Sequence, residues 1–140
     1  MINLSKIFFL FFIAAFLSSN TCSRQEMDIE KIKDIYWVHS YEEDSGNITV
    51  YRPQSFDFPP SRGREGFEFK DGGLFKKYVI APADGINTIN GRWRKTEEEN
   101  VFFIQLNDDS EYDYPVPPDY KLQIYSFDES EKRLSVVNER

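Results

Sequence analysis

Histidine and cysteine, the side chains that most often carry nucleophilic or acid–base chemistry, each occur once in this chain, as His39 and Cys22. A serine or threonine nucleophile would need a base beside it, and no nucleophile-elbow pattern marks such a residue. His39 and Glu43 share one face of a predicted strand, but four residues separate them by about 13 Å, too far for a hydrogen bond. The 24 acidic residues include no pair that its spacing singles out. We therefore expect a protein without catalytic activity.

Metal binding is not indicated either. Acidic and polar residues alternate in one stretch, at Asn107, Asp109, Glu111 and Asp113. A calcium-binding EF-hand loop would need Gly at its sixth position and Glu at its twelfth, where this chain has Tyr112 and Pro118. With one histidine and one cysteine, a zinc site built from side-chain nitrogen and sulfur ligands is excluded. The sequence thus predicts no metal and no cofactor.

Basic residues form the next candidate site. Arg62 and Arg64 lie in a glycine-containing loop, and five further basic residues fall on predicted hairpins. These five are Lys76, Lys77, Arg92, Arg94 and Lys95. Arginine suits carboxylates and phosphates, so the cluster is either an anion or partner site or a solvated outer face paired with acidic residues. The net charge of −7 argues against nucleic acid as a partner.

Aromatic residues recur at alternate positions and indicate a β-rich core. The members of this set are Trp37, Tyr41, Phe67, Phe69, Tyr78 and Trp93. If they point inward, they either fill a small barrel or line it, since eight strands are just wide enough to pack solid or to hold one small ligand. The candidate ligand-binding residues are Trp37, His39, Tyr41, Tyr78 and Trp93.

A period of two in hydrophobicity predicts the elements that would position these residues. The expected strands are 37–43, 48–52, 66–70, 74–81, 89–96, 101–106, 120–127 and 134–138. A short amphipathic helix over 29–36 precedes them. No stretch between the strands is long enough for a helical crossover, so we expect an all-β, up-and-down antiparallel meander that closes into a roughly eight-stranded barrel. An immunoglobulin-type sandwich is the alternative.

Two connections are long and rich in proline, namely the loops 52–65 and 107–119. Each contains three prolines, which favour extended and semi-rigid backbone. Loops of this length inside a compact domain are often functional. The loop 52–65, with its arginines, is therefore a candidate for contact with a partner.

The N-terminus has the layout of a secretory signal peptide. Lys6 precedes the apolar run 7–17, and small and polar residues follow at 18–21. Eleven helical residues span about 16 Å, half of the hydrocarbon core of a membrane. Cys22 comes next and has no second cysteine to pair with. The sequence predicts a signal peptide at 1–21, a tether at 22–28 and a domain at 29–140.

The position of Cys22 resembles that of the acylated cysteine of bacterial lipoproteins. The match is incomplete, because Ser19 and Thr21 stand where the lipobox usually has Leu and a small residue. The alternative is a plain exported protein with an incidental cysteine near its cleavage site. Acylation would anchor the chain stably, since more than one acyl chain suffices for attachment.

The chain as a whole resembles lipocalin-like domain proteins, small exported lipoproteins of bacteroidete type. The resemblance is carried by DIYWVHSYEED around the first strand, by the eight-strand meander, by FPPSRGREGFEFKDGG and IAPADG, and by Gly91-Arg92-Trp93. Lipocalins have Gly-x-Trp at the first strand, where this chain has Ile35-Tyr36-Trp37, and an arginine that stacks on that Trp, for which Arg133 or Arg140 is available.

The resemblance implies a function and a location. It implies a non-enzymatic binding protein for a small apolar or amphipathic ligand, held in the cell envelope by a lipid on Cys22, on the periplasmic or the surface face. The alternative is an envelope interaction module or an inhibitor that acts on a protein partner through loop 52–65.

Overall fold

Eight strands form a closed antiparallel barrel in the computed structural model, which describes residues 26–82, 85–107 and 117–138. The strands are β1 (Trp37–His39), β2 (Ile48–Pro53), β3 (Gly66–Phe69), β4 (Leu74–Ile80), β5 (Ile86–Lys95), β6 (Val101–Leu106), β7 (Asp119–Asp128) and β8 (Arg133–Val137). The predicted all-β class and the closed eight-stranded barrel are confirmed. The predicted signal peptide, Cys22, Arg140 and most of loop 107–119 lie outside the described residues.

Helix is scarce in the described part of the chain. Single 3₁₀ turns occur at Ile29–Lys31, Tyr41–Glu43 and Asp71–Gly73. The first is shorter than the amphipathic helix expected over 29–36. None of the helical segments in the described ranges is long and apolar enough to cross a membrane.

The order of the strands differs from that of a simple meander. Around the barrel the order is β1-β2-β8-β7-β6-β5-β4-β3, and β3 closes on β1. Strands β3 to β8 follow one another as predicted, but β1 lies between β2 and β3, and β2 pairs with β8. The predicted up-and-down order, which is that of lipocalin barrels, is therefore wrong where β2 should pair with β3 and β1 with β8, although β1 and β2 pair as predicted.

This order explains why loop 52–65 is long. Strands β2 and β3 both run antiparallel to β1, so they are parallel to each other. Parallel strands cannot be joined by a tight turn, and the chain must return along the barrel. The Gln54 N–H donates to the Tyr36 carbonyl at the beginning of β1, and the His39 N–H donates to the Glu65 carbonyl at its end. The loop is a crossover that follows β1 along the outside.

The first strand is shorter than the predicted range 37–43. The chain leaves the barrel after His39, because Ser40–Glu43 forms a tight turn in which the Glu43 N–H donates to the Ser40 carbonyl. Bidentate hydrogen bonds from Arg52 to the Glu43 carboxylate, at 2.8 and 2.6 Å, hold this turn against the outer face of β2. The alternation predicted that Tyr41 continues the face of Trp37 and His39. Because the strand ends at His39, it does not.

One half of the barrel is packed solid. Aromatic side chains meet there edge to face, with ring centroids 5.2 to 5.8 Å apart. The rings are those of Trp37, Phe69, Phe75, Trp93, Phe102 and Phe127. The N-terminal segment closes this end, since Ile32 is fully buried and its carbonyl accepts a 2.8 Å hydrogen bond from Trp37 Nε1. We call this half the packed half.

Candidate ligand-binding cavity

A cavity of about 710 Å³ occupies the other half of the barrel, which we call the open half. It lies at the end where β2, β3, β5 and β7 begin. The described residues that line it are His39, Thr49, Tyr51, Glu65, Phe67, Lys77, Val79, Pro117, Tyr120, Lys121, Leu122, Val136, Val137 and Asn138. Its volume is within the range of small-molecule sites in proteins. A second cavity, of about 360 Å³, lies beside the N-terminal segment and β7 and is half the size.

Apolar side chains form much of the cavity wall. Phe67, Val79, Leu122 and Val136 come from four strands, and each is at most 7% exposed. They share the inward face of their strands with core residues, namely Phe69, Phe75, Ile124 and Leu134. This wall suits the apolar part of a ligand.

Lys77 brings a charge into this apolar setting. Its side chain is 15% exposed, and its Nζ lies 3.9 Å from the Glu65 carboxylate at the rim. Burial lowers the pKa of the Lys77 ammonium, and the Glu65 carboxylate opposes part of this effect. Glu65 is itself 47% exposed, so its charge is shared with solvent.

Two tyrosines add hydroxyl groups to the same cavity. Burial raises the pKa of Tyr51 and of Tyr120, and the Glu65 carboxylate adds to both shifts. Both phenols therefore stay protonated near neutral pH and can donate. Among the described residues, neither hydroxyl has a hydrogen-bond partner. In the described residues, every side-chain polar atom that is fully buried has a hydrogen-bond partner. Since the two hydroxyls have none, they are not fully buried and are open to the cavity.

His39 lies at the rim. Its Nε2 is 2.8 Å from the Asp44 carboxylate, and the other oxygen of Asp44 accepts from the Val50 N–H. The imidazole stacks on the Tyr51 ring with centroids 5.3 Å apart. His39 thus orients the Tyr51 ring, while its own bond to Asp44 fixes the imidazole.

The five predicted ligand-binding residues do not come together in one place. Only His39 lines the cavity. Trp37 is fully buried in the packed half, and Trp93 packs there against Phe69 and Phe102. Tyr41 is 40% exposed in the turn after β1, with its ring 3.9 Å from that of His39.

Tyr78 lies on the outer face of β4 rather than on the inner one. Its hydroxyl donates to Glu68 at 2.9 Å, and its ring is 4.0 Å from that of Tyr36. Successive side chains of a strand point to opposite faces. The inward positions of β4 are those of Phe75, Lys77 and Val79, so Tyr78 points outward.

The two loop arginines have different surroundings. Arg64 is 8% exposed, and its guanidinium donates to the Glu42 carboxylate and to the His39 and Pro59 carbonyls. It also stacks on Phe58, with its carbon 4.9 Å from the ring centroid. Arg62 is exposed. Arg64 thus fastens the crossover to the end of β1 and is not free to take an external anion.

The basic cluster separates into two faces. Arg92 and Arg94 lie outward and exposed on β5, as the alternation predicted, while Gly91 and Trp93 lie inward. Lys77 was grouped with this outer cluster and lies inside the barrel instead. The signal that could have found it is its position between the apolar residues Phe75 and Val79.

The last residues of the predicted tether touch the barrel. The Met27 N–H donates to the Asn100 side chain at 2.8 Å, and the Met27 side chain packs against the core. Glu26 pairs with Lys95.

The described ranges contain no group of three or more His, Cys, Asp or Glu side chains that could hold a metal ion. Comparison with known proteins finds no matching family model, no matching curated protein and no matching solved structure.

Proposed function

We propose that this chain is an exported, lipid-anchored protein that binds a small apolar or amphipathic ligand inside its barrel, without catalysis. The observation that carries the proposal is the 710 Å³ cavity, walled by apolar side chains on four strands and closed at one end by the packed aromatic half. Such a cavity combines a large apolar surface with a few polar groups, as small-molecule sites do.

Titration with N-phenyl-1-naphthylamine, an uncharged apolar fluorophore, tests this proposal. We expect saturable binding, with blue-shifted and enhanced emission. Thr49→Trp places a large ring in the cavity and should weaken binding at least tenfold. Ile48→Trp, on the opposite face of the same strand, is the matched control and should bind as the wild type does. Equal binding by both variants, or no binding by the wild type, would contradict the proposal.

Lipid attachment is tested separately. We expect the mature N-terminus to be Cys22 carrying acyl chains, in the envelope on its periplasmic or surface face. Mass spectrometry of the protein purified from membranes measures this directly. An unmodified Cys22, or cleavage at another residue, would contradict the anchor and leave ligand binding unaffected.

The alternative function, partner recognition through loop 52–65, has one observation in its favour. Phe56 is 38% exposed at the outer surface, beside Phe58 and under the Arg52 guanidinium. Because Arg64 and the loop ends are fastened to β1, the loop presents a fixed surface. Phe56→Ser should abolish capture of an envelope protein if this function holds, while fluorophore binding is unchanged.

A further inference from the structure

Three of the polar groups that line the open half can donate hydrogen bonds. Lys77 Nζ is an amine, and the hydroxyls of Tyr51 and Tyr120 are phenols that remain protonated. The Glu65 carboxylate forms an ion pair with the amine at 3.9 Å, a distance longer than a hydrogen bond. In the described part of the barrel these three donors have no hydrogen-bonded acceptor.

Each of these three donors is affected by the charge of Glu65. Glu65 acts electrostatically on Lys77, Tyr51 and Tyr120, and Tyr51 acts on Tyr120. All of them line the same cavity. Along β4, Lys77 is one inward position from Phe75 of the packed half, so its side chain rises from the floor of the cavity towards Glu65 at the rim.

A ligand that satisfies three donors in an apolar cavity needs a head group with several hydrogen-bond acceptors. A neutral head group such as an alcohol would satisfy one or two of them, whereas a carboxylate has two oxygens that accept several bonds. A buried ammonium regains stability only when a negative charge comes close to it, and charge-assisted hydrogen bonds are the stronger ones. Glu65, half exposed at the rim, supplies this charge only weakly.

We propose that the ligand of the open half is an amphiphile with an anionic carboxylate head, which is bound by Lys77 with the Tyr51 and Tyr120 hydroxyls and displaces Glu65 from the amine. This inference rests on the proposed function and names the chemical class of the ligand. The apolar tail lies against Phe67, Val79, Leu122 and Val136.

Competition against bound N-phenyl-1-naphthylamine tests the head group. Dodecanoate and dodecanol carry the same chain length and differ in the head, and both are used below their micelle concentrations. We expect dodecanoate to bind wild-type protein at least tenfold more tightly than dodecanol, since charge-assisted hydrogen bonds are worth that much or more.

Three variants identify the residues. Lys77→Met keeps the length of the side chain and should reduce the preference for dodecanoate to less than threefold. Lys76→Met, on the outer face of the same strand, is the matched control and should preserve it. Glu65→Gln removes the competing carboxylate and should tighten dodecanoate binding a few fold without changing dodecanol binding.

The outcomes separate the two proposals. Equal affinity for the two ligands, or a preference that survives Lys77→Met, overturns the inference about the head group while ligand binding itself stands. Failure of the fluorophore and of both amphiphiles to bind overturns the proposed function and this inference with it. Loss of the preference in Lys76→Met as well would assign it to surface charge and would also overturn the inference.

Discussion

The packed half and the open half of this barrel are built from the same strands but contain different side chains. On β3, Phe69 contacts four other aromatic rings, while Phe67, which is one of the four, also borders the cavity. On β4, Phe75 lies in the packed half and Lys77 in the open half. The barrel therefore divides along its axis into a tightly packed region and a region that holds a cavity. We expect the packed half to contribute most of the folding energy, whereas the polar groups of the open half are those that the proposed ligand would satisfy.

Truncation of one phenylalanine in each half should show the largest contrast. Phe69→Ala leaves a void among packed rings and is expected to lower the free energy of unfolding by about 3–5 kcal/mol. Phe67→Ala enlarges a cavity that already exists and should cost at least about 1 kcal/mol less, because its void is open to water. Urea unfolding followed by tryptophan fluorescence gives both values. An equal or larger loss at Phe67 would contradict the division.

Glycine-to-alanine substitutions compare how much space an added Cβ atom finds in each half. At Gly91, opposite Phe75 in the packed half, an added Cβ would collide with the Gln105 carbonyl oxygen and press on Leu106. Gly91→Ala is expected to cost about 1–3 kcal/mol. At Gly85, in the turn at the open end, the nearest atom is the Ala81 Cβ at 3.7 Å. Gly85→Ala should change stability by less than about 0.5 kcal/mol. Thermal unfolding that ranks the two in the opposite order would refute this.

Ionic interactions on the outer face of β2 should contribute to the free energy of unfolding, whereas the packed half should contribute through apolar packing alone. The Arg52 guanidinium holds the pKa of the Glu43 carboxyl down to about 2. A lowered pKa gives stability that is present above the ordinary value of 4.5 and is lost as the pH falls towards 2. Glu43→Gln should therefore cost about 1–2 kcal/mol at pH 7, and the difference from wild type should vanish between pH 4.5 and 2.

Urea titrations at pH 7, 4.5 and 3 measure this dependence. Phe69→Ala serves as the control, since its cost should be the same at all three values. A cost of Glu43→Gln that stays constant over this range would show that the ion pair does not stabilise the turn.

Removal of the buried amine should have the smallest effect on stability. Lys77→Met replaces a poorly solvated ammonium with an apolar side chain, and Glu65 remains exposed to water. We expect no loss of stability, or a gain of up to about 1 kcal/mol, in the absence of ligand. Lys76→Met should be neutral. A loss greater than about 1 kcal/mol in Lys77→Met would mean that the Lys77–Glu65 pair holds the barrel together and is not kept for a ligand.

Most of the fold could be predicted from the sequence, because alternation fixes strands locally. The strand from Val101 to Leu106 matches its predicted range, and the hairpin around Gly72 lies where the turn residues put it. Alternation does not say which strands pair, so the position of β1 between β2 and β3 was missed. The length of loop 52–65 was the available signal, since a crossover needs more residues than a hairpin.

The candidate site was harder to predict. Aromatic residues were chosen for the cavity, yet Trp37 and Trp93 fill the packed half, because large rings pack best against one another. Lys77 was grouped by its charge with a basic cluster that was expected to be either an anion site or a solvated outer face. Lys77 is two residues from both Phe75 and Val79, so its side chain points to the same inner face of β4. The alternation along this strand therefore predicts the orientation of Lys77 better than its charge does.

Methyl NMR during titration with N-phenyl-1-naphthylamine tests whether the ligand binds in the open half. We predict saturable shifts for the methyl groups of Val79, Leu122 and Val136, with those of Ile32 and Ile104 in the packed half unchanged. Shifts confined to Met27 and Ile124 beside the smaller cavity, or shifts in the packed half without any in the open half, would contradict it.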